Sequence, residues 1–272
     1  MRYPKSVVAR KICQMNLIDS HAHIDVTAFD GDRSKVLERC LQAGVSRIVV
    51  PGVMADTWDK LREICASNPV LYASFGLHPI YLEQHTPADI DTLMEYIKQY
   101  RPIAVGEIGL DFYCQTLDQN RQQALFEAQL SVAANVALPV LLHVRKSHDA
   151  TLACLRKTAV NGGICHAFNG SLQQAYQYID LGFKLGFGGM LTFERSHKLH
   201  RLAQQLPLEA IVLETDAPDM TGASHHGQRN SPEYLPEYLQ ALAKLRAEDI
   251  HKVAAQTTAN AEAVLDFSRT GT

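Results

Sequence analysis

The sequence predicts an α/β chain folded as a single-domain (β/α)₈ TIM barrel, on three observations. Short apolar or β-branched runs recur along the 272 residues, each followed by a polar loop and a longer stretch of helical character. Eight such runs can be counted, the number that closes a parallel sheet on itself. The chain is longer than most single domains, but barrels of this kind reach this size as one unit, and no linker, low-complexity tract or repeat divides it.

In chain order, the expected strands cover 16–20, 46–51, 70–76, 103–107, 139–143, 163–166, 183–187 and 210–214. Between them, helices are expected over 34–43, 57–66, 88–100, 119–135, 172–181 and 198–206, with closing helices over 232–245, 247–255 and 258–268. Gly44 has the position of a helix C-cap, and Thr86-Pro87 that of a helix start. Residues 1–14 carry Arg2, Lys5, Arg10 and Lys11 around a short Val7-Val8-Ala9, too brief for a signal-peptide core. They are an N-terminal extension ahead of a barrel spanning 15–272.

Composition bounds the function. A hydrophobic fraction of 46% is ordinary, and a chain of this length can bury about three quarters of its unfolded surface. The formal charge of −3 gives no long-range attraction for a polyanion, so nucleic-acid or phosphate binding needs a local patch and tight duplex binding is disfavoured. The six cysteines contain no CxxC pair, several lie in apolar segments, and free thiols in a cytoplasmic protein fit best. No apolar run approaches the ~20 residues of a membrane span.

In such a barrel the chemistry sits where strands end, so a polar side chain closing an apolar run matters more than one inside a helix. Six such residues are candidate metal ligands. His21 and His23 follow Leu17-Ile18-Asp19 and, two apart on a strand, point to the same side. Alone the pair is a weak signal, since two histidines there can equally be surface residues. Glu107 closes Ile103-Ala104-Val105-Gly106, where a carboxylate needs a cation or donors to be buried; it could pair with a lysine or arginine, or bridge two ions. Asp111 and Tyr113, just beyond, would shape the loop or substrate pocket. His143 closes Val140-Leu141-Leu142, and His166 closes Gly163-Ile164-Cys165. Asp216, after Ile211-Val212-Leu213-Glu214-Thr215, can be both an oxygen ligand and the acceptor of a proton from an attacking water. Four imidazoles and two carboxylates at the ends of strands one, four, five, six and eight form a far stronger signal together than any one does alone. Mixed nitrogen and oxygen donors admit zinc, manganese, cobalt or magnesium, with four histidines making an all-magnesium site less comfortable. This is the chemistry of a hydrolase, with catalytic roles for Asp216 and Glu107.

These residues resemble the TatD family of metal-dependent deoxyribonucleases, within the wider amidohydrolase-like group of barrels. The resemblance runs through Asp19-Ser20-His21-Ala22-His23, Gly76-Leu77-His78-Pro79, Gly106-Glu107-Ile108-Gly109-Leu110-Asp111, Leu142-His143-Val144-Arg145, His166-Ala167-Phe168-Asn169-Gly170 and Glu214-Thr215-Asp216-Ala217-Pro218. The run from Asp216 to Met220 looks like the YjjV-type branch. The resemblance implies two divalent ions per chain. His21, His23, Glu107 and Asp216 would form one site, Glu107, His143 and His166 the other, and Asp216 would be the base. It places His78, Arg145 and Arg229 where similar proteins contact phosphate or substrate, although each has a plain alternative as a surface or loop-stabilising residue. The segment from Met220 to Gln228, with His225 and His226, departs from the family's wording and puts substrate preference in doubt.

The leading expectation is a phosphodiesterase acting as a 3′ exonuclease on DNA or RNA ends, because paired ions stabilise both attacking and leaving oxygens. A carbonyl-centred hydrolase (esterase, amidase or deacylase) would use the same ligands, and a metal-binding barrel without turnover would keep them without needing Asp216. No lysine ends a strand, which disfavours isomerase or lyase chemistry and a carbamylated-lysine bridge.

Overall fold

The computed structural model describes residues 15–268, so the extension expected over 1–14 lies outside the described residues. Eight parallel strands follow one another in chain order: β1 (Leu17–Asp19), β2 (Val45–Pro51), β3 (Leu71–Phe75), β4 (Ala104–Asp111), β5 (Val140–Arg145), β6 (Gly163–Cys165), β7 (Phe183–Phe187) and β8 (Ile211–Leu213). Backbone bonds across the β8–β1 seam bring the sheet round on itself. Ser20 N–H donates to the Leu213 carbonyl at 3.0 Å, and Asp216 N–H to the His21 carbonyl at 2.8 Å.

The outer layer comprises α1 (Arg33–Gln42), α2 (Trp58–Ala66), α3 (Ala88–Tyr100), α4 (Gln119–Asn135), α5 (His148–Lys157), α6 (Leu172–Asp180) and α7 (His197–Gln205), followed by α8 (Leu235–Arg246) and α9 (Ile250–Val264). Local sequence sets several boundaries. Asp118 accepts the Arg121 N–H at the start of α4, Ser171 and Gln174 form a reciprocal capping box on α6, and Gly44 leaves α1 at φ 84°, where a glycine is favoured.

Three expectations differ from the structure. The helix α5 was not among those expected. The two final helices are one, α9, because Thr257 sits inside it with its hydroxyl donating to the carbonyls of Val253 and Ala254 rather than breaking the ladder. Strand β4 runs four residues past Glu107 to Asp111, through Gly109.

Strand alternation divides the core in two. The larger part lies between sheet and helices, around Trp58, Phe75, Phe126, Tyr178 and Tyr238. The smaller one gathers Ile18, Val49, Ala104, Leu141, Ile164 and Val212 from six strands, packed with Ala261 of α9 and Leu265 just after it. On this inward side, two residues beyond Leu141 and Ile164, stand His143 on β5 and His166 just past the end of β6. The filled barrel is thus the floor on which the polar cluster sits.

Candidate metal centre

Glu107 lies at the middle of the cluster and is 2% exposed. Its two oxygens face different partners. Oε2 stands 3.2 Å from His21 Nε2 and 3.4 Å from His23 Nε2; Oε1 stands 3.1 Å from His143 Nδ1, 3.2 Å from His166 Nε2 and 3.3 Å from His78 Nε2. Close approach of the backbones makes this possible. A Cβ on Gly106 would meet Leu141 Cβ at 2.6 Å, so β4 can lie this near β5 only with glycine there.

On the Oε2 side, Asp216 Oδ1 completes the group, 3.7 Å from His21 Nε2 and 3.8 Å from His23 Nε2. The two imidazole nitrogens face each other at 3.3 Å. Donors placed 2.0–2.1 Å from a shared tetrahedral cation would be about 3.3–3.4 Å apart. The spacing of His21, His23 and Glu107 Oε2 therefore fits a common divalent ion, with Asp216 Oδ1 a few tenths of an ångström further out. His21 also stacks on His166, with ring centres 4.0 Å apart, which links the two sides of Glu107.

The electrostatics divide the imidazoles, lowering His21 and His78 and raising His23, His143 and His166. Burial opposes the charge on Glu107, but the surrounding His78, His21 and His166 outweigh it and hold the carboxyl well below its usual range. Burial pushes His21 down to about 3 and His78 down to about 4, against the pull of Glu107. Neutral imidazole is the form that coordinates a cation. At His23, burial is outweighed by Glu107 and Asp216, which raise it to about 9. Burial lifts Asp216 to about 6, with His166 and His23 opposing.

His78 is drawn into the cluster, at the same kind of strand end, but its hydrogen bonds give it a different part. Its Nδ1 accepts the Ile80 N–H at 3.1 Å, so the neutral ring carries its proton on Nε2, the atom facing Glu107. It is a donor there, even though His78, Glu107 and His143 lie close enough to suggest an ion between them.

Buried carboxylates behind the cluster were not singled out in the sequence. Asp19 accepts from the N–H groups of His21 and Thr215 and from the Thr215 hydroxyl at 2.6 Å, tying the end of β1 to that of β8; burial lifts it to about 8. Glu214 Oε1 accepts the Ala167 N–H at 2.5 Å and lies 3.7 Å from His166 Nδ1. Both follow or end an apolar run, the signal that picked out Glu107, but each lies within two residues of a stronger candidate.

The cluster opens into a cavity of about 580 Å³. Arg145 lines it, half-exposed, with its guanidinium 3.9 Å from the centre of the exposed Tyr113 ring. Arg229 is not brought there. It makes a bidentate pair with Asp32 at 2.7 and 2.8 Å and lies over the Phe29 ring, fastening the loop after β8 to the one before α1. Of the divergent segment, Met220 lines the cavity, whereas His225 stacks on Tyr234 and bonds Glu237, and His226 meets Phe193. Arg229→Ala is therefore expected to cost about 1 kcal/mol or less of stability, as a solvent-exposed pair does, and to leave KM unchanged. Thermal melts and steady-state kinetics on one preparation check both halves, and a large rise in KM with an unchanged melt would refute the latch.

Residues 18–266 match the family described as TatD related DNase. The chain is 39% identical over 247 residues to the uncharacterized metal-dependent hydrolase YjjV of Escherichia coli (strain K12), covering 89% of this chain and 94% of that protein. It is 31% identical over 258 residues to the 3'-5' ssDNA/RNA exonuclease TatD of Salmonella typhimurium, covering 92% and 99%. The crystal structure of YjjV from Escherichia coli K12 superposes with a TM-score of 0.89 at 36% identity, covering 94% of this chain and 99% of that one. The chain belongs to the TatD family of metal-dependent hydrolases.

Proposed function

We propose that this hydrolase is a phosphodiesterase that removes nucleotides from the 3′ ends of single-stranded DNA or RNA, using two divalent cations. The observation that carries it is Glu107, whose two oxygens face two separate groups of imidazoles at the bottom of a cavity that holds an arginine. His21, His23, Glu107 and Asp216 would hold one ion; Glu107, His143 and His166 would hold the other. When bound, such ions lower the pKa of water and neutralise charge on a phosphoryl oxygen.

The chain's own residues supply the rest. Asp216, at the cavity wall, takes the proton of the attacking water. Arg145 can engage a phosphate in the two-pronged manner of a guanidinium, and His78 offers its Nε2–H at the same wall. The cavity has the size of ordinary small-ligand sites and is floored by the packed interior of the barrel, which suits a chain end better than a continuous duplex. The Salmonella relative, named a 3'-5' ssDNA/RNA exonuclease, agrees with this.

The test is a panel of single-stranded DNA, RNA, a phosphodiester dye and a carboxyl ester, offered to protein reconstituted with zinc, manganese, cobalt or magnesium. Release of mononucleotides from 3′ ends is the expected result. Turnover of the carboxyl ester alone would transfer the site to carbonyl chemistry.

We also propose that the protein works in the cytoplasm. Among the described residues no helix is long and apolar enough to cross a membrane, and Cys40, Cys65, Cys114, Cys154 and Cys165 are free thiols. Cys13 lies outside the described residues. Titration of denatured, unreduced protein should find all six thiols; finding four or fewer would contradict a reducing compartment.

A further inference from the structure

We infer that Asp111 is a positioning residue: it fixes the His143 ring in the tautomer that presents Nδ1, as a bare lone pair, to the ion on the Oε1 side of Glu107. This rests on the proposal that the cluster holds two divalent cations.

The placement comes from strand alternation. Glu107, Gly109 and Asp111 fall on one side of β4, and Gly109 is in register with His143 on β5. At Gly109, φ is 148°, and a Cβ there would stand 1.9 Å from the His143 carbonyl oxygen, so glycine alone permits this approach. His143 consequently sits between the two carboxylates, with Nδ1 3.1 Å from Glu107 Oε1 and Nε2 3.0 Å from Asp111 Oδ2.

Asp111 is held so that it cannot turn away. It is 1% exposed, and its Oδ1 accepts the N–H groups of Tyr113 and Cys114 at 3.0 and 3.2 Å. The Gln122 side chain on α4 clasps its backbone from both sides, accepting the Asp111 N–H at 2.8 Å and donating to its carbonyl at 3.1 Å. A carboxylate only accepts, so the bond to Oδ2 keeps a proton on His143 Nε2, and an ion held between Nδ1 and Glu107 Oε1 would then displace the proton that Glu107 otherwise draws to Nδ1. The neighbouring His78, with ring centre 4.3 Å from that of His143, is held in the same tautomer by the Ile80 N–H on its Nδ1 but turns its Nε2–H, not a lone pair, towards Glu107. Backbone and side-chain partners thus make one ring a ligand and the other a donor.

Two variants separate this role from loop support. Asp111→Asn keeps Oδ1 for the Tyr113 and Cys114 N–H groups but turns an NH₂ towards His143 Nε2, which favours the wrong tautomer. Asp111→Ala removes both functions. Zinc titration by calorimetry should show the second ion weakened 10–100-fold in Asp111→Asn, in the range found when a ligand histidine loses its orienting partner, while the first ion binds as in the parent. In zinc-loaded protein with ¹⁵N-histidine, the long-range ¹H–¹⁵N spectrum should show His143 protonated on Nε2 in the parent and lose that signal in the variant. An Asp111→Asn protein that binds both ions like the parent, or that weakens both equally, overturns the role of Asp111. A parent that takes up no second zinc overturns the two-ion proposal, and this inference with it.

Discussion

Glu107→Ala is expected to keep the barrel folded, hold neither cation and turn over at least ~1000-fold more slowly. Several kcal/mol of charge stabilisation by bound cations are at stake, and each factor of ten in rate corresponds to about 1.4 kcal/mol. Among the described residues no other acidic side chain reaches both sides of the cluster: Asp216 approaches His21 and His23, and Asp111 approaches His143 from behind. Folding should survive because the imidazoles can adjust. Glu107 and Asp216 raise the pKa of His23 and His166 against their burial, and without the Glu107 carboxylate burial favours their neutral forms. This escapes the larger penalty of a buried charge left without its partner. Glu107→Gln, nearly the same shape, should behave alike in metal content. Elemental analysis, a thermal melt and a hydrolysis assay decide the matter, and two bound ions in either variant would remove Glu107 from its bridging place.

The legible part of the site is the part that physical cost makes conspicuous. A carboxylate closing Ile103-Ala104-Val105-Gly106, or an imidazole closing Val140-Leu141-Leu142, is an expensive interruption of a buried strand, and the structure brings Glu107 and His143 within 3.1 Å of one another. The barrel was legible for a related reason. Strands buried on both faces read as continuous apolar runs, and the eight expected runs all overlap observed strands. What escaped depends on atoms that sequence does not order. Gly109 reads as a break but lets β4 continue beside β5, so Asp111 was placed in a loop although it ends the strand. His78 closes an apolar run like the other histidines, yet the Ile80 N–H at its Nδ1, a local backbone bond, makes it a donor. Arg229 lies immediately after the divergent segment, and only the fold shows it fastened to Asp32 across the chain.

Asp216→Asn is expected to slow turnover by ~100-fold or more, the contribution of a general base, while the protein melts close to the parent. The backbone at this position favours the substitution. Asp216 has φ 57°, a left-handed conformation in which aspartate and asparagine are both tolerated, and its N–H bond to the His21 carbonyl does not involve the side chain. Asparagine also keeps an oxygen that can face His21 and His23, so the ion beside Glu107 Oε2 should bind more weakly rather than be lost. The amide cannot accept the proton of an attacking water, because its nitrogen is no base and its oxygen a very weak one. If Asp216 served only as an ion-pair partner for His21 and His23, the variant would instead lose stability and keep most of its turnover. Melting temperature, metal content and hydrolysis rate, measured on one preparation at saturating cation, separate the two outcomes. A fully metallated Asp216→Asn protein with the parent's rate would place the base on another side chain of the cavity wall.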